Sequence, residues 1–353
     1  MRNTPSNTTG RPKSRFYYGL VIIAVFYLAA LLADFLSPYD YREQSRQQPS
    51  APASPVRFHD ADGNFSLHPL VSGIRLTDPV AQEYSVDESN VTPIQLFVHG
   101  FSYTFLGVIP GDIHLFGVSG GSPNTPRIQL LGTDSLGRDR FSRLLHGARF
   151  SMLVSPVGTI FAAFIGILIG ITSGYSRRLV DSTLMGIADA MISLPTLILI
   201  LAARAAFPLE LSPVTAALLL IGIFALTGWA EMARLARGQV RSIREQEFVI
   251  AATATGVTPV RILFRHILPN ISRPLIIQAT LMLPGFLLAE VALSFLGVGL
   301  QEPEPSLGNL LTGTADLTQL QQHPVLLLSP AIVIFLFALG SRLISDGFGT
   351  RED

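Results

Sequence analysis

RGQVRSIREQEFVIAATATGVTPVRILFRHILPN, residues 237 to 270, is an arginine-rich island between two apolar runs. Ser212 to Ala230 before it carries no charge, and Pro274 to Leu300 after it carries only Glu290. About 20 apolar residues cross the hydrocarbon core of a bilayer, so the flanking runs read as membrane spans. The polar stretch between them, Glu231 to Arg273 in full, is then a loop held at the membrane surface. Within it Glu247 to Thr255 predicts a short helix carrying the small residues Ala251, Ala252, Thr253 and Ala254, stopped by Gly256. Thr258-Pro259 opens a second helix, because proline is tolerated in a first turn. Val260, Ile262, Leu263, Phe264, Ile267 and Leu268 form its apolar stripe, with Arg261, Arg265 and His266 off it, and Pro269-Asn270 ends it. Two short helices around a glycine turn, with a small-residue face, have the form of a docking element. The same pattern also suits an amphipathic interfacial hairpin with no partner.

Composition agrees on the class. Of 353 residues, 48% are hydrophobic and 14% charged, far more apolar than an ordinary soluble domain. The fold class read from this pattern is an all-α membrane protein with six transmembrane helices and a β-containing extracytoplasmic insert between helices 1 and 2. The absence of cysteine removes disulfides and thiolate metal sites and leaves the redox compartment open.

Taken in order, residues 1–15 are a polar, basic tail, and residues 16–36 form the first span, with Tyr17, Tyr18 and Tyr39 where interfacial aromatics belong. A secretory signal is the competing reading, but the apolar run is long and no small-x-small cleavage site follows it. Residues 37–131 are the insert. A Pro/Ser/Ala linker lies at 49–55, with short strands expected at Val56 to His59, Phe65 to Val71, Gln95 to Val98 and Thr104 to Ile109. Asp62-Gly63 reads as a hairpin turn. GVSGGS at 117–122 lacks the Gly-Lys-Ser/Thr of a phosphate loop and reads as a plain loop. Residues 132–149 alternate acids and arginines with leucines and predict an interfacial helix. The five-helix core, residues 150–345, follows with spans at 150–171, 182–203, 212–230, 274–300 and 324–344, and residues 346–353 form the tail.

Arginine placement sets the orientation. With the N-terminus in the cytoplasm, six spans return the C-terminus there. Arg177-Arg178 and the Glu231 to Arg273 island then both face inward. The five arginines from Arg127 to Arg149 fall outside, next to a long translocated segment whose charges weigh less.

No catalytic constellation is present. The seven histidines are scattered without metal-ligand spacing, and there is no HExxH, GxSxG or Walker A sequence. The chain is not read as an enzyme, and no cofactor or metal is expected; uphill transport would draw its energy from a partner. Asp189 and Glu290 are the acids inside spans. A carboxylate there costs a few kcal/mol and should face protein or a water-filled path. Each reads either as a pathway or gate residue or as a structural pairing residue.

GTDSLGRDRFSRLLHGARFS, residues 132–151, resembles the GTDxLGRD-x-x-SR-x-x-x-GAR motif of dipeptide/oligopeptide-type permeases, in the subunit encoded second (C-type). The matching positions are Gly132, Thr133, Asp134, Gly137, Arg138, Asp139, Ser142 and Arg143. Ala251-Ala252, Gly256 and Ile267-Leu268-Pro269 resemble the EAA signature of ABC-importer permeases, with Ile250 where the family carries Glu and Glu247 as the nearby acid. EVALSFLGVGL (290–300) resembles the E-x-x-LSFLG segment of the fifth helix, and Pro305 to Asn309 the P-S-W-G-N region, with Leu307 for Trp. The tail keeps only Asp346-Gly347 of the family pattern.

The resemblance implies a permease subunit of an ATP-driven importer for di- or oligopeptides, multi-pass in a prokaryotic inner membrane. Its implied partners are a homologous second permease, two cytoplasmic ABC ATPase subunits, an extracytoplasmic substrate-binding protein and the lipid bilayer, with no nucleic acid. The coupling loop to the ATPases would comprise Glu247, Ala251, Ala252, Gly256, Arg265 and Pro269. The rival classes are an ion-coupled secondary transporter using Asp189 and Glu290, for which no internal repeat is visible, and a membrane-anchored sensor whose insert binds a ligand.

Overall fold

A computed structural model of the chain describes residues 12–59, 65–79, 82–105, 107–118, 125–312, 320 and 324–349. The Asp62-Gly63 turn and most of the 117–122 loop lie outside the described residues. Within them, five helices are long and apolar enough to cross a membrane, and a sixth crossing is made if one sharply bent pair counts as a span. The fold class read from sequence therefore stands, with the sheet between the first and second spans.

Contacts divide the chain into two units. One comprises Met1–Ala24, Leu153–Leu293 and Ile334–Asp353; the other comprises Val25–Met152 and Ser294–Val333. The helices in chain order are α1 (Pro12–Leu31), α2 (Ala33–Leu36), α3 (Arg140–Tyr175), α4 (Arg178–Ser193), α5 (Thr196–Ala205) and α6 (Pro213–Arg244). They continue with α7 (Glu247–Ala254), α8 (Pro259–Ile262), α9 (Leu268–Phe295), α10 (Leu307–Leu310) and α11 (Pro324–Gly349).

In the first unit α6 is the organising element. Ser212 caps it by accepting from the Thr215 amide at 3.2 Å, with Pro213 in the first turn. Its 32 residues reach about 48 Å at 1.5 Å per residue, well beyond the roughly 30 Å hydrocarbon core. The start of the charged island, 231–244, is therefore helix continuing out of the span and not loop. α3 packs against it through Gly166, Gly170 and Gly174. A Cβ at the first would sit 2.5 Å from the Trp229 carbonyl oxygen, and at the second 2.5 Å from that of Ala233. Small residues at four-residue spacing let two backbones approach this closely, which is how helices associate where lipid removes the hydrophobic drive between them.

The run read as one span over 182–203 is broken. α4 and α5 meet at 90° across Leu194-Pro195. Proline has no amide hydrogen to continue α4 and pushes the residue before it out of the helical region; Leu194 is extended at φ −93°, ψ 138°. At the far side of the island the expected stop at Pro269-Asn270 does not occur. α8 runs through a π-helical turn, Leu263–Ile267, directly into α9, so the second short helix is the base of the next span. The wider turn, with the Leu268 amide donating to Leu263, shifts the hydrogen-bond register just ahead of the proline.

The second unit holds an antiparallel meander, β1 (Val56–His59), β2 (Phe65–Asp78), β3 (Glu83–Phe105) and β4 (Ile109–Val118), in that spatial order. The strands are longer than the pattern indicates. Gln95 to Val98 is the middle of β3, while Thr104 and Phe105 end β3 and Ile109 opens β4 across a tight connection with Gly107 at φ +72°. The first span ends at Leu31, and Asp34 stands on the short α2 beyond it. The separate interfacial helix expected at 132–149 is not formed. Residues 132–139 are an irregular loop, and the helix that starts at Arg140 is already α3.

Candidate functional site

The island folds into an exposed helix-turn element. Gln246 precedes α7, whose first turn carries Glu247, a position where an acid complements the helix dipole. Gly256, at φ +80°, donates to the Thr253 carbonyl while Val257 donates back to Ala252, the paired bonds of a glycine-terminated helix. Val249, Ile262 and Ile267 are the buried anchors. Ala251, Gly256, Arg265 and Pro269 are exposed and Ala252 is half-buried. Around them Phe248, Ile250, Val260 and Phe264 are 44–66% exposed. The coupling-loop residues read from sequence are thus brought together on one surface element, with uncovered apolar side chains beside them.

Along α6 toward that element, arginines hold α4. Arg234 meets Asp189 at 2.6 Å. One and two turns on, Arg237 and Arg241 meet Asp181 at 2.8 and 2.6 Å, and Asp181 also accepts from the Ser173 hydroxyl at 2.6 Å. Arg244 closes the series by donating to the Gly174 carbonyl at 2.6 Å and lying over the Tyr175 ring. Asp181, only 8% exposed, is the principal acid here and was not singled out from sequence; its signal was the acid at the start of a span facing an arginine repeat.

The same unit carries a half-open cavity of about 650 Å³ between α4, α5, α6 and α9. Its walls are mostly apolar, including Leu197, Ile200, Leu281, Met282 and Phe286. The Phe224 and Phe286 rings stack at 4.6 Å behind it. Among the described residues Glu231 is the one charged lining residue, and Gln278 donates to it at 3.3 Å. Neither Asp189 nor Glu290 lines this cavity. Asp189 is half-exposed and paired with Arg234, while Glu290 is fully buried in α9. The two intramembrane acids read as pathway candidates are not brought together there.

In the second unit the GTDSLGRD motif is a clamp. Asp134 accepts the Leu136 and Arg138 amides on one oxygen, at 2.9 Å each, and the Arg138 guanidinium on the other at 2.6 Å. Arg138 also reaches Glu302 at 2.6 Å, and Arg143 reaches both oxygens of the same Glu302. Thr133 donates its hydroxyl to Gln48 and accepts from the Ala51 amide, and Gly132 and Gly137 have φ of +64° and +74°. At Gly137 a Cβ would lie 2.0 Å from the Ser45 carbonyl oxygen, so the irregular segment at the start of the insert leaves room only for glycine.

Asp139 caps α3 by accepting both the amide and the hydroxyl of Ser142 at 2.7 Å. Burial pushes its carboxyl up to about 6, against those hydrogen bonds. Nearby, burial would raise Asp34, but hydrogen bonds from His146 and Arg149, at 3.0 and 2.7 Å, outweigh it and hold that carboxyl down at about 2. Glu302 completes the clamp, and Asp34 holds His146 and Arg149; neither is legible as a partner in a local pattern. No cluster of metal ligands occurs among the described residues.

Two family profiles match. "Binding-protein-dependent transport system inner membrane component" covers residues 166–351, more than half of the chain, and "N-terminal TM domain of oligopeptide transport permease C" covers residues 14–53. The chain is 37% identical over 222 residues to the dipeptide transport system permease protein DppC of Alkalihalophilus pseudofirmus, covering 63% of this chain and 70% of that one. It is 37% identical over 224 residues to the oligopeptide transport system permease protein OppC of Mycobacterium bovis, covering 63% and 75%. It is 33% identical over 222 residues to OppC of Bacillus subtilis, covering 63% and 70%. With its broken span, its exposed helix-turn element and these matches, the chain belongs to the binding-protein-dependent transport system inner membrane components, alongside the DppC and OppC permeases.

Proposed function

We propose that the chain is the C-type permease of an ATP-driven importer for di- or oligopeptides, paired with a homologous second permease. An extracytoplasmic binding protein would deliver the solute, and two cytoplasmic ATPase subunits would seat on α7 and the Gly256 turn. The carrying observation is the set of uncovered apolar side chains, Phe248, Ile250, Val260 and Phe264, around a small-residue face at the end of α6. Such a cluster on a polar surface element marks an interaction site.

The mechanism follows from stiffness. α6 is one helix from the cavity wall at Thr227–Glu231 to Arg244, locked to α3 by glycine contacts and to α4 by ion pairs. A push on α7 when the ATPases close would move α6 as a rod and reshape the cavity it lines. Both termini would lie in the cytoplasm, on the same side as α7. Hydrolysis of ATP belongs to the partner subunits, since this chain carries no phosphate loop. The ion-coupled alternative is not favoured, because neither Asp189 nor Glu290 opens onto the cavity.

Reconstitution with the three partner types tests this. Ala251→Trp should abolish peptide-stimulated ATP hydrolysis while the subunit still inserts. Peptide uptake by this chain alone, or unchanged stimulation in Ala251→Trp, would overturn the proposal.

A further inference from the structure

We infer that the cavity between α4, α5, α6 and α9 receives the cationic amino end of the transported peptide, with the Glu231 carboxylate as its counter-ion and Gln278 holding that carboxylate in place. The inference rests on the peptide reading above and adds which end of the solute is recognised and by what.

The cavity's composition makes the choice. At about 650 Å³ it falls within the ~300–1,000 Å³ usual for small-molecule sites. Among the described residues its lining includes one acid, Glu231, and no basic side chain. Arg234, one turn further along α6, is occupied by Asp189 at 2.6 Å. A peptide's carboxylate would thus enter an apolar, net-negative space with no cation to meet it, whereas an ammonium finds a carboxylate.

The polar groups are also grouped. Thr227 and Glu231 stand four residues apart on α6, so they share one face of that helix, and Gln278 of α9 donates to the Glu231 carboxylate at 3.3 Å. Thr196 of α5 adds one further hydroxyl; the rest of the wall is apolar and partly built of Met191 and Met282, whose unbranched side chains adapt to ligands of different shape. A site that fixes the common ammonium and yields to varied side chains suits a carrier of many peptide sequences.

The absence of cysteine in this chain allows a direct test in the assembled importer. In Thr227→Cys, labelling rates are measured with a cationic (aminoethyl) and an anionic (sulfonatoethyl) methanethiosulfonate, each normalised to a free model thiol. A carboxylate one helical turn away should favour the cationic reagent, and adding Glu231→Gln should lower the cation-to-anion ratio about three- to tenfold. An unchanged ratio would remove Glu231 as an electrostatic determinant of the cavity.

The second arm uses uptake of a dipeptide and of its N-acetylated form, both supplied by the same delivery protein, in wild type and Glu231→Gln. Preference for the free amine should fall at least about fivefold in the variant. A preference equal in both would overturn the assignment of the ammonium. If neither form is carried by any variant, the peptide reading itself fails, while the labelling ratio still decides whether Glu231 sets the charge of the cavity.

Discussion

Arg143 and Glu302 stand 159 positions apart and meet through two hydrogen bonds, at 2.8 and 3.0 Å. Arg143 is 1% exposed, so its charge has no water to fall back on, whereas Glu302 keeps half its surface in solvent. Arg138 depends on the same acid at 2.6 Å. Glu302→Ala should therefore cost about 3 kcal/mol, near the low end for breaking a buried pair because one partner is half-exposed. The check is the thermal midpoint of the purified subunit, with Glu88→Ala, whose Arg57 pair is exposed, as the near-neutral control.

Two acids of that unit should give opposite pH responses. Asp34 sits at about 2 against an ordinary 3.8, so the stability it contributes is complete above roughly pH 4 and is lost as pH falls toward 2. Asp139 is raised from 3.8 to about 6, so the folded chain binds the proton more tightly, and stability drops as pH rises from roughly 4 to 6. Equilibrium unfolding across pH 3 to 7 should show Asp34→Asn flattening the acid limb and Asp139→Asn flattening the upper one. A flattening on the other limb in either variant would contradict these assignments.

The glycine contacts between α3 and α6 set a steric limit. Gly170→Leu must displace the Ala233 carbonyl and the Ala236 Cβ, at 2.5 and 2.6 Å from a bare Cβ, and backbone cannot swing aside. A loss at or above the usual 1–3 kcal/mol of overpacking, about 3 kcal/mol, is expected. Gly222→Leu, on the same α6 but with nothing within 4 Å, should behave as wild type in size-exclusion profile and thermal midpoint.

Asp181→Asn keeps the shape of the side chain and removes the charge that Arg237 and Arg241 share. About 2 kcal/mol of stability should be lost, since Asp181 is buried but the arginines are partly solvated. If α6 acts as the transmission rod, the stimulated ATPase rate of the reconstituted importer should fall more than peptide binding does. Equal losses in both would assign the pair a purely structural role.

How much of this was legible in the sequence depends on range. Runs of apolar residues marked the five long apolar helices and the bent pair, and Gly256 ended α7 where its positive φ requires it. Local charge patterning misled at residues 132–149: acids alternating with arginines suggest a helix face, but Asp134 collects the amides of Leu136 and Arg138 and turns the chain instead. Its partner Glu302 is far along the chain, and no local pattern points to it. Pro195 was visible inside the third span, but that it breaks the span through 90° follows from the extended Leu194 and not from the hydropathy. The two acids most conspicuous in the spans, Asp189 and Glu290, are paired or buried, and the acid that lines the cavity is Glu231, which from sequence is one more charge of the polar loop.

The right-angle corner at Leu194-Pro195 bears on the fate of the subunit in the cell. Every residue from Ser193 to Ile198 is exposed, and Pro195 offers no amide hydrogen. Hydrocarbon tolerates irregular backbone only where protein or water covers it. An orphan copy made without its neighbours would present that bend to acyl chains and become a target for membrane quality control, so accumulation of this polypeptide should track co-synthesis of the rest of the assembly.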